Sequence, residues 1–559
     1  MSLHPQLFYV IPTETERVAR AAFPKGCAIM RIRDELGMLF ADQDFAALFS
    51  AVGQPAYSPS RLLLITIFQF LEGLTDRQAA DAVRRAIDWK YALALDLTDP
   101  GFDFSLLSEF RDRLLAAELQ LAPLNHLLEV CRTRGLIKAR GKQRTDATHV
   151  LAAIRTLNRL ECLGETLAHT LQQLLRDAPA WAHSSIPADW WERYAARFDA
   201  FRLPTTQPKQ AALAQAIGRD GRHLLAWVQT STTPPAVQTH AAVALLRQVW
   251  IQQFYADADP TAIRLRTVAD LPPAARLIGS PYDVDARLST KRDTTWNGYK
   301  VHLTESCEAD GPNLITDVQT TLATTPDGQL TRPIQAALDK RQLLPSEQYV
   351  DCAYTDAATL IASQATHAID LVGPVQRDGS WQAQAGAGFA LACFAIDWEA
   401  KQAVCPQGQT SRVWSASTDT AGQAVIHVQF VRQVCGACPA RSACTKAKTG
   451  PRTLKLRPQP QYAVLQAARQ YQETEEFKQR YRVRAGVEGT LAQGVQAFEL
   501  RYARYCGMAK TSLQHIFTVL AINLTRLVAW WDARPKAQTR RSRFAAGMRH
   551  AAAAPCGGT

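Results

Sequence analysis

The spacing of apolar positions predicts helices over the first quarter of the chain. Leu62, Leu63, Leu64, Ile67, Phe68, Phe70 and Leu71 follow Pro59, a residue suited to a first helical turn, and Gly73 ends the run. Thr75 reads as the N-cap of a helix over Asp76–Ala86, and Ser105 or Ser108 as the cap of the helix carrying Phe110 and Leu114. Helical spacing returns at Leu157, Leu160, Leu163, Leu167 and Leu171, and Pro187, Pro204 and Pro234 divide the stretch from Ala152 to about Asp259 into separate helices. After Pro281 the period changes. Trp296–Thr304 alternates as a half-buried strand and Leu314–Thr320 reads as its neighbour. Asp351 ends the short apolar strand of EQYVDCAY, and Ala368–Val375 is a further strand. Another strand, Val425–Val431, lies in a cysteine-bearing stretch, and from about Gln461 to Trp531 the pattern is helical and basic.

A chain of 559 residues, 47% hydrophobic and 20% charged, has the balance of a globular protein with two to four domains, which excludes disordered and collagenous classes. The longest apolar run, Leu62–Leu71, is interrupted by Gln69 and falls short of a membrane span; MSLHPQLFYVIPTETER lacks the features of a signal peptide. A cytoplasmic protein without a membrane partner is expected. Charge is unevenly placed: residues 451–559 hold 18 Lys/Arg against 6 Asp/Glu, the whole of the formal net charge of +12. Such asymmetry suits a nucleic-acid partner; a solubilising basic tail around Arg540, Arg541 and Arg543 is the alternative.

Of the twelve cysteines, eight are scattered singly, as small core residues are; the rest cluster as Cys405 and Cys435-x2-Cys438-x5-Cys444. Four thiols, with turns at Pro406-Gln407-Gly408 and Pro439, meet the count for one tetrahedral structural Zn²⁺ with no open catalytic position. Packed free thiols or an iron–sulfur cluster are the alternatives. No Gly-rich phosphate loop is present, so no nucleotide cofactor is expected.

Asp146 opens the mixed α/β region, Asp351 ends a strand within it, and Glu488 lies on the basic helical segment. Carboxylates so placed can converge on divalent ions for phosphoryl transfer, or be surface charges. Tyr481, Arg484 and Glu488 fall on one helix face. Arg501, Arg504, Lys510, Gln514, Asn523 and Arg526, interleaved with Tyr502, Tyr505 and Phe517, fit DNA-backbone contact with base stacking, or a solvated face whose aromatics are core. His149 and His302 read as structural.

Together these passages resemble bacterial insertion-sequence transposases of the Asp-Asp-Glu class, and within it the insertion-sequence 1182 family. TDATHVLAAIRTLNRLE is similar to the first-aspartate motif, WNGYKVHLTE to the second and third core strands, YVDCAYTD to the second-aspartate motif, and YRVRAGVEGTLAQGVQAFELRYARYCGMAKTSLQHIFTVLAINLTRL to the glutamate helix. YSPSRLLLITIFQFLEGLTDRQAADAVRRAIDWKYALAL and FDFSLLSEFRDRL resemble the helical N-terminal domain. The resemblance spans about Tyr57 to Leu527. It implies an RNase H-like α/β core at 137–155, 276–379 and 461–532. Around this core it places an N-terminal DNA-end-binding domain at 1–136 (a packing or dimerisation module is the alternative) and a helical insertion at 156–275. A Cys-rich, zinc-binding insertion at 380–460 and a basic tail at 533–559 complete the expected organisation.

Carried over, Asp146, Asp351 and Glu488 are the catalytic ligands of two Mg²⁺ or Mn²⁺ ions, one activating water or a 3′-hydroxyl and the other steadying the leaving oxygen. Tyr481, Arg484, Arg501, Arg504 and Lys510 are DNA-binding residues. The partners implied are double-stranded DNA (terminal inverted repeats and target) and a second copy of the chain on DNA. Two glycines, Gly486 and Gly489, flank the glutamate, and the signature lysine is missing: Val495 stands there, and Arg501 or Lys510 is the replacement to expect. The alternatives are an inactive zinc-containing DNA-binding descendant, which a cation among the carboxylates would favour, and another RNase H-like nuclease.

Overall fold

A computed structural model of the chain describes residues 2–6, 9–50, 52–255, 263–420 and 422–536. Arg540, Arg541 and Arg543 of the expected tail lie outside them.

A mixed six-stranded sheet sits at the centre. Strand β1 (Lys142–Leu151) pairs antiparallel with the 13-residue β3 (Thr294–Ser306). The other edge of β3 pairs first with β2 (Arg287–Lys291) and then with β4 (Ile315–Leu322), both antiparallel. On its far side β1 runs parallel to β5 (Glu347–Tyr349), and β5 to β6 (Asp370–Val372). Strand β1 shows no apolar alternation because many of its buried residues are polar: Gln143, Arg144, Thr145 and Thr148.

In the N-terminal quarter, local chemistry sets the helix ends. Pro59 opens Pro59–Glu72, the Ser58 hydroxyl caps it, and Gly73 closes it in the left-handed region at φ 70°. Thr75 caps Asp76–Arg85 in a reciprocal box with Gln78. Neither Ser105 nor Ser108 caps the next helix. Ser105 is already its first residue, and the Asp103 carboxylate accepts from the Ser105 N–H at 2.9 Å.

The C-terminal segment breaks into Gln459–Tyr471, Glu475–Tyr481, a 3₁₀ turn Arg482–Ala485, Gly486–Ala497 and the long helix Met508–Trp531. Among the described residues this last helix alone is long and apolar enough to cross a bilayer by composition. An unbroken apolar run does not reveal it, because Thr511, Gln514, Thr518 and Asn523 interrupt it; all four are buried. The helix is a core element. Its Phe517 stacks on Phe70 with ring centroids 5.6 Å apart, and one continuous apolar core joins the N-terminal helices, the sheet and this helix. The helices between β1 and β2 have a second core, built on Leu163, Leu167, Leu224, Leu246 and Trp250. A third, around Phe394, Val428, Phe430 and Leu454, belongs to the strands Val413–Thr418, Ala424–Gln429 and Thr453–Leu456.

Candidate active site

Alternate residues of a strand share a face, and three on β1 are each engaged by the C-terminal segment. Arg144 donates to the Val483 carbonyl at 2.7 Å, Asp146 accepts from Arg484 Nη2 at 2.6 Å, and the Thr148 hydroxyl accepts from Arg501 Nε at 2.9 Å. The parallel register sets Arg144 beside Tyr349, so Asp146 and Asp351, each two residues further on, extend neighbouring strands in the same direction. Both line a cleft of about 290 Å³, with Asp327, Lys291, Arg484 and Arg501 also in its wall.

The aspartates differ in environment. Burial pushes the Asp146 carboxyl above its ordinary range; the Arg484 guanidinium opposes this and the Asp351 charge adds to it. Asp351 is half-buried and caps the 3₁₀ turn Cys352–Tyr354, accepting from the Ala353 N–H at 2.9 Å. Glu488 is held differently: its side chain is 69% exposed, and Oε1 stands 3.4 Å from Arg484 Nη1. A single guanidinium therefore lies between Asp146 and Glu488. Burial works against its charge, Asp146, Tyr481, Asp351 and Glu488 together outweigh that, and Arg484 Nε is buried with no partner.

Tyr481, Arg484 and Glu488 do not share one continuous helix face as their spacing predicts. The 3₁₀ turn separates Tyr481 from Glu488, and within it the Val483 carbonyl accepts from Arg144. Tyr481 donates to the Val350 carbonyl at 3.0 Å and stacks on Phe477, and burial pushes its hydroxyl up to about 12.

The expected basic, aromatic face is mostly interior. Asn523 bonds both backbone groups of Ile315, Gln514 bonds the Arg504 N–H and the Tyr502 carbonyl, and Phe517 is core. Arg504 donates to the Leu74 carbonyl and lies over the Phe70 ring, and Lys510 pairs with Asp112 at 2.8 Å. Val495 packs against the core. Of the two cations expected to replace the signature lysine, Arg501 is the one in the cleft. His302 is buried and neutral, its pKa pushed down to about 4 by burial, and hydrogen-bonds Tyr354; His149 lies against Trp296.

Two family models match this chain. One, described as a transposase DDE domain, covers residues 404–528, and the other, described as a transposase domain (DUF772), covers 18–113. Both matches support a DDE-type insertion-sequence transposase. No curated protein matches the chain. The first match includes Glu488 and all four clustered cysteines, whereas Asp146 and Asp351 lie outside both matches, so their placement in the site rests on geometry.

Those cysteines, Cys405, Cys435, Cys438 and Cys444, line one small cavity of about 50 Å³. The Gln409 N–H points at Cys405 Sγ at 3.4 Å, and burial, with the neighbouring thiols adding to it, pushes Cys444 up. Among the described residues no three His, Cys, Asp or Glu side chains are grouped so that they could hold a metal ion, either here or at the carboxylates. Asp327 is the cleft residue that spacing does not reveal. It is buried, and it accepts from Lys300 at 2.8 Å with Lys291 3.8 Å away. Its only sequence signal is a polar turn, TTPDGQ, between a strand and a helix.

Proposed function

We propose that this transposase, of the insertion-sequence 1182 family, cuts DNA at the ends of its element and joins the freed 3′-hydroxyl to target DNA. The observation that carries the reading is the pair Asp146, on β1, and Asp351, just past the end of the parallel β5, at one cleft, with Arg484 reaching in from the C-terminal segment and Glu488 beside it. A sheet in which β1, β2, β3 and β4 pair antiparallel while β5 and β6 run parallel to β1 supports an RNase H-like core formed by 137–155, 276–379 and 461–532. The helical and Cys-rich units, each with its own apolar core, are its insertions.

The carboxylates fit hard divalent cations in chemistry: two acidic side chains on a common cleft, one of them burdened by the other's charge. Asp146, Asp351 and Glu488 would hold Mg²⁺ or Mn²⁺, which would supply charge stabilisation and activation of the attacking oxygen in phosphoryl transfer. The chain's own groups do the rest. Arg501 and Lys291 in the cleft wall bind phosphate oxygens, and Arg484 moves from Asp146 to the DNA backbone when DNA enters. Asp327 holds Lys300 and Lys291 in place. The N-terminal helices read the element's end, and two copies pair the two ends. The four cysteines supply soft thiolate donors for one structural Zn²⁺.

A guanidinium among the carboxylates is also what an inert descendant would carry, so the test must be chemical. A supercoiled plasmid bearing the coding region and its flanks, incubated with the full chain and Mg²⁺ or Mn²⁺, should be cut at discrete element boundaries and joined to new sites. Asp146→Asn and Asp351→Asn should each abolish cutting while leaving DNA binding in place. Metal-dependent cutting that survives both substitutions would remove these aspartates from the mechanism, and no cutting by the unaltered chain would favour the inert reading.

A further inference from the structure

Behind the cleft lies a charge cluster that the proposed reaction does not use. Glu305 on β3 stands opposite Arg144 on β1 and is completely buried. Its Oε1 accepts from Arg144 Nε at 2.6 Å; its Oε2 accepts from Arg526 Nη1 at 2.6 Å and from the Thr490 hydroxyl at 2.6 Å. Arg526 also donates to Thr490 at 2.7 Å. A carboxylate removed wholly from water persists only where charged and polar partners satisfy it. Here the partners come from β1, from the helix Gly486–Ala497 and from the long helix Met508–Trp531.

The first turn of Gly486–Ala497 is shaped to this cluster. A Cβ on Gly486 would lie 1.9 Å from Arg144 Nη1 and 2.3 Å from its Cζ, so a side chain there would displace the guanidinium. Gly489, by contrast, faces open space. Arg144 also holds the Val483 carbonyl, one residue before Arg484, and Glu305 holds Thr490, two residues after Glu488. Both contacts bracket Arg484, which reaches Asp146, and Glu488, which pairs with Arg484.

The geometry points to Glu305 as a positioning residue of the active site: clamped between Arg144 and Arg526, it fixes the start of the Gly486–Ala497 helix and with it Arg484 in the cleft and Glu488 beside Arg484. The inference rests on the transposase reading, and it adds residues that touch neither DNA nor the reacting atoms.

Glu305→Gln removes the charge at nearly constant shape. Thr490→Val removes one hydroxyl and is the milder change, should the first variant fail to fold. Both are compared with the unaltered full chain for plasmid cutting, DNA affinity, melting temperature and amide hydrogen exchange. The expected result is a cutting rate about 10- to 100-fold lower, with unchanged DNA affinity and with faster exchange confined to residues 484–490. Cutting at the unaltered rate in both variants would overturn the proposal. So would losses of cutting and DNA binding that track a lowered melting temperature, since that pattern marks a purely structural residue. If the unaltered chain does not cut, the transposase reading fails on its own. Exchange then decides the clamp: local acceleration at 484–490 supports it, and an unchanged pattern overturns it.

Discussion

An arginine four residues before a glutamate proposed to hold metal has two tasks that cannot be performed together. Beside Asp146 at 2.6 Å, Arg484 neutralises a carboxylate that burial disfavours; bound to a phosphate, it leaves that carboxylate to a cation. The structure shows the first arrangement, and on the proposed mechanism a divalent ion would compete with Arg484 for Asp146. Replacing it by Arg484→Gln should tighten Mn²⁺ binding to the free protein by about tenfold, measured by titration calorimetry, and adding Asp146→Asn should erase the gain. Equal Mn²⁺ affinity in the unaltered and Arg484→Gln chains would show that no such competition exists. The residues of this competition were legible in the sequence, because Asp146, Asp351, Arg484 and Glu488 stand in recognisable motifs. Asp327 and Glu305 were not. Their partners are Lys300 and Lys291 for the one and Arg144 and Arg526 for the other, and strand register and helix packing bring these together across long stretches of chain.

Elements were legible where one face is apolar and misread where polar side chains serve the interior. The strand signal at Trp296–Thr304 falls inside β3, and Pro59–Glu72 begins and ends at its punctuating residues. The long helix Met508–Trp531 is the contrary case. Its Gln514, Asn523 and Arg526 look like a surface for DNA, yet each satisfies a buried group of the chain itself. Asn523 is the clearest, because its amide takes the place of a backbone partner for both the N–H (2.8 Å) and the carbonyl (2.9 Å) of Ile315 at the start of β4. Asn523→Ala leaves both unpaired in the core and should cost about 2–4 kcal/mol, read by urea unfolding, with no change in the salt dependence of DNA binding. A shallower salt dependence with stability intact would return this residue to the DNA surface.

For the whole molecule, the division of apolar cores predicts how the chain comes apart. The N-terminal helices share their core with the sheet and the long helix. Apart from a small cluster of Ala19, Met30 and Tyr91 they have no separate interior, and a unit built this way is held rigidly against the central sheet. The helical unit between β1 and β2, and the Cys-rich unit, each have a core of their own. Regions with separate cores open separately, whereas regions sharing one core open together. Native-state hydrogen exchange should therefore give Pro59–Glu72, β1 and Met508–Trp531 a common opening free energy, with the other two units opening at lower values. A chelator extends the same measurement. The Cys-rich unit has a small core, and a bound Zn²⁺ contributes its binding free energy to the fold of the unit that holds it. Chelation of reduced protein should accelerate exchange across 394–456 and leave β1 untouched. Acceleration that reaches β1 would mean that the Cys-rich unit and the central sheet are one cooperative unit. No acceleration at 394–456 would mean that Cys405, Cys435, Cys438 and Cys444 pack as free thiols, and that the core of Phe394, Val428, Phe430 and Leu454 holds that unit without a metal.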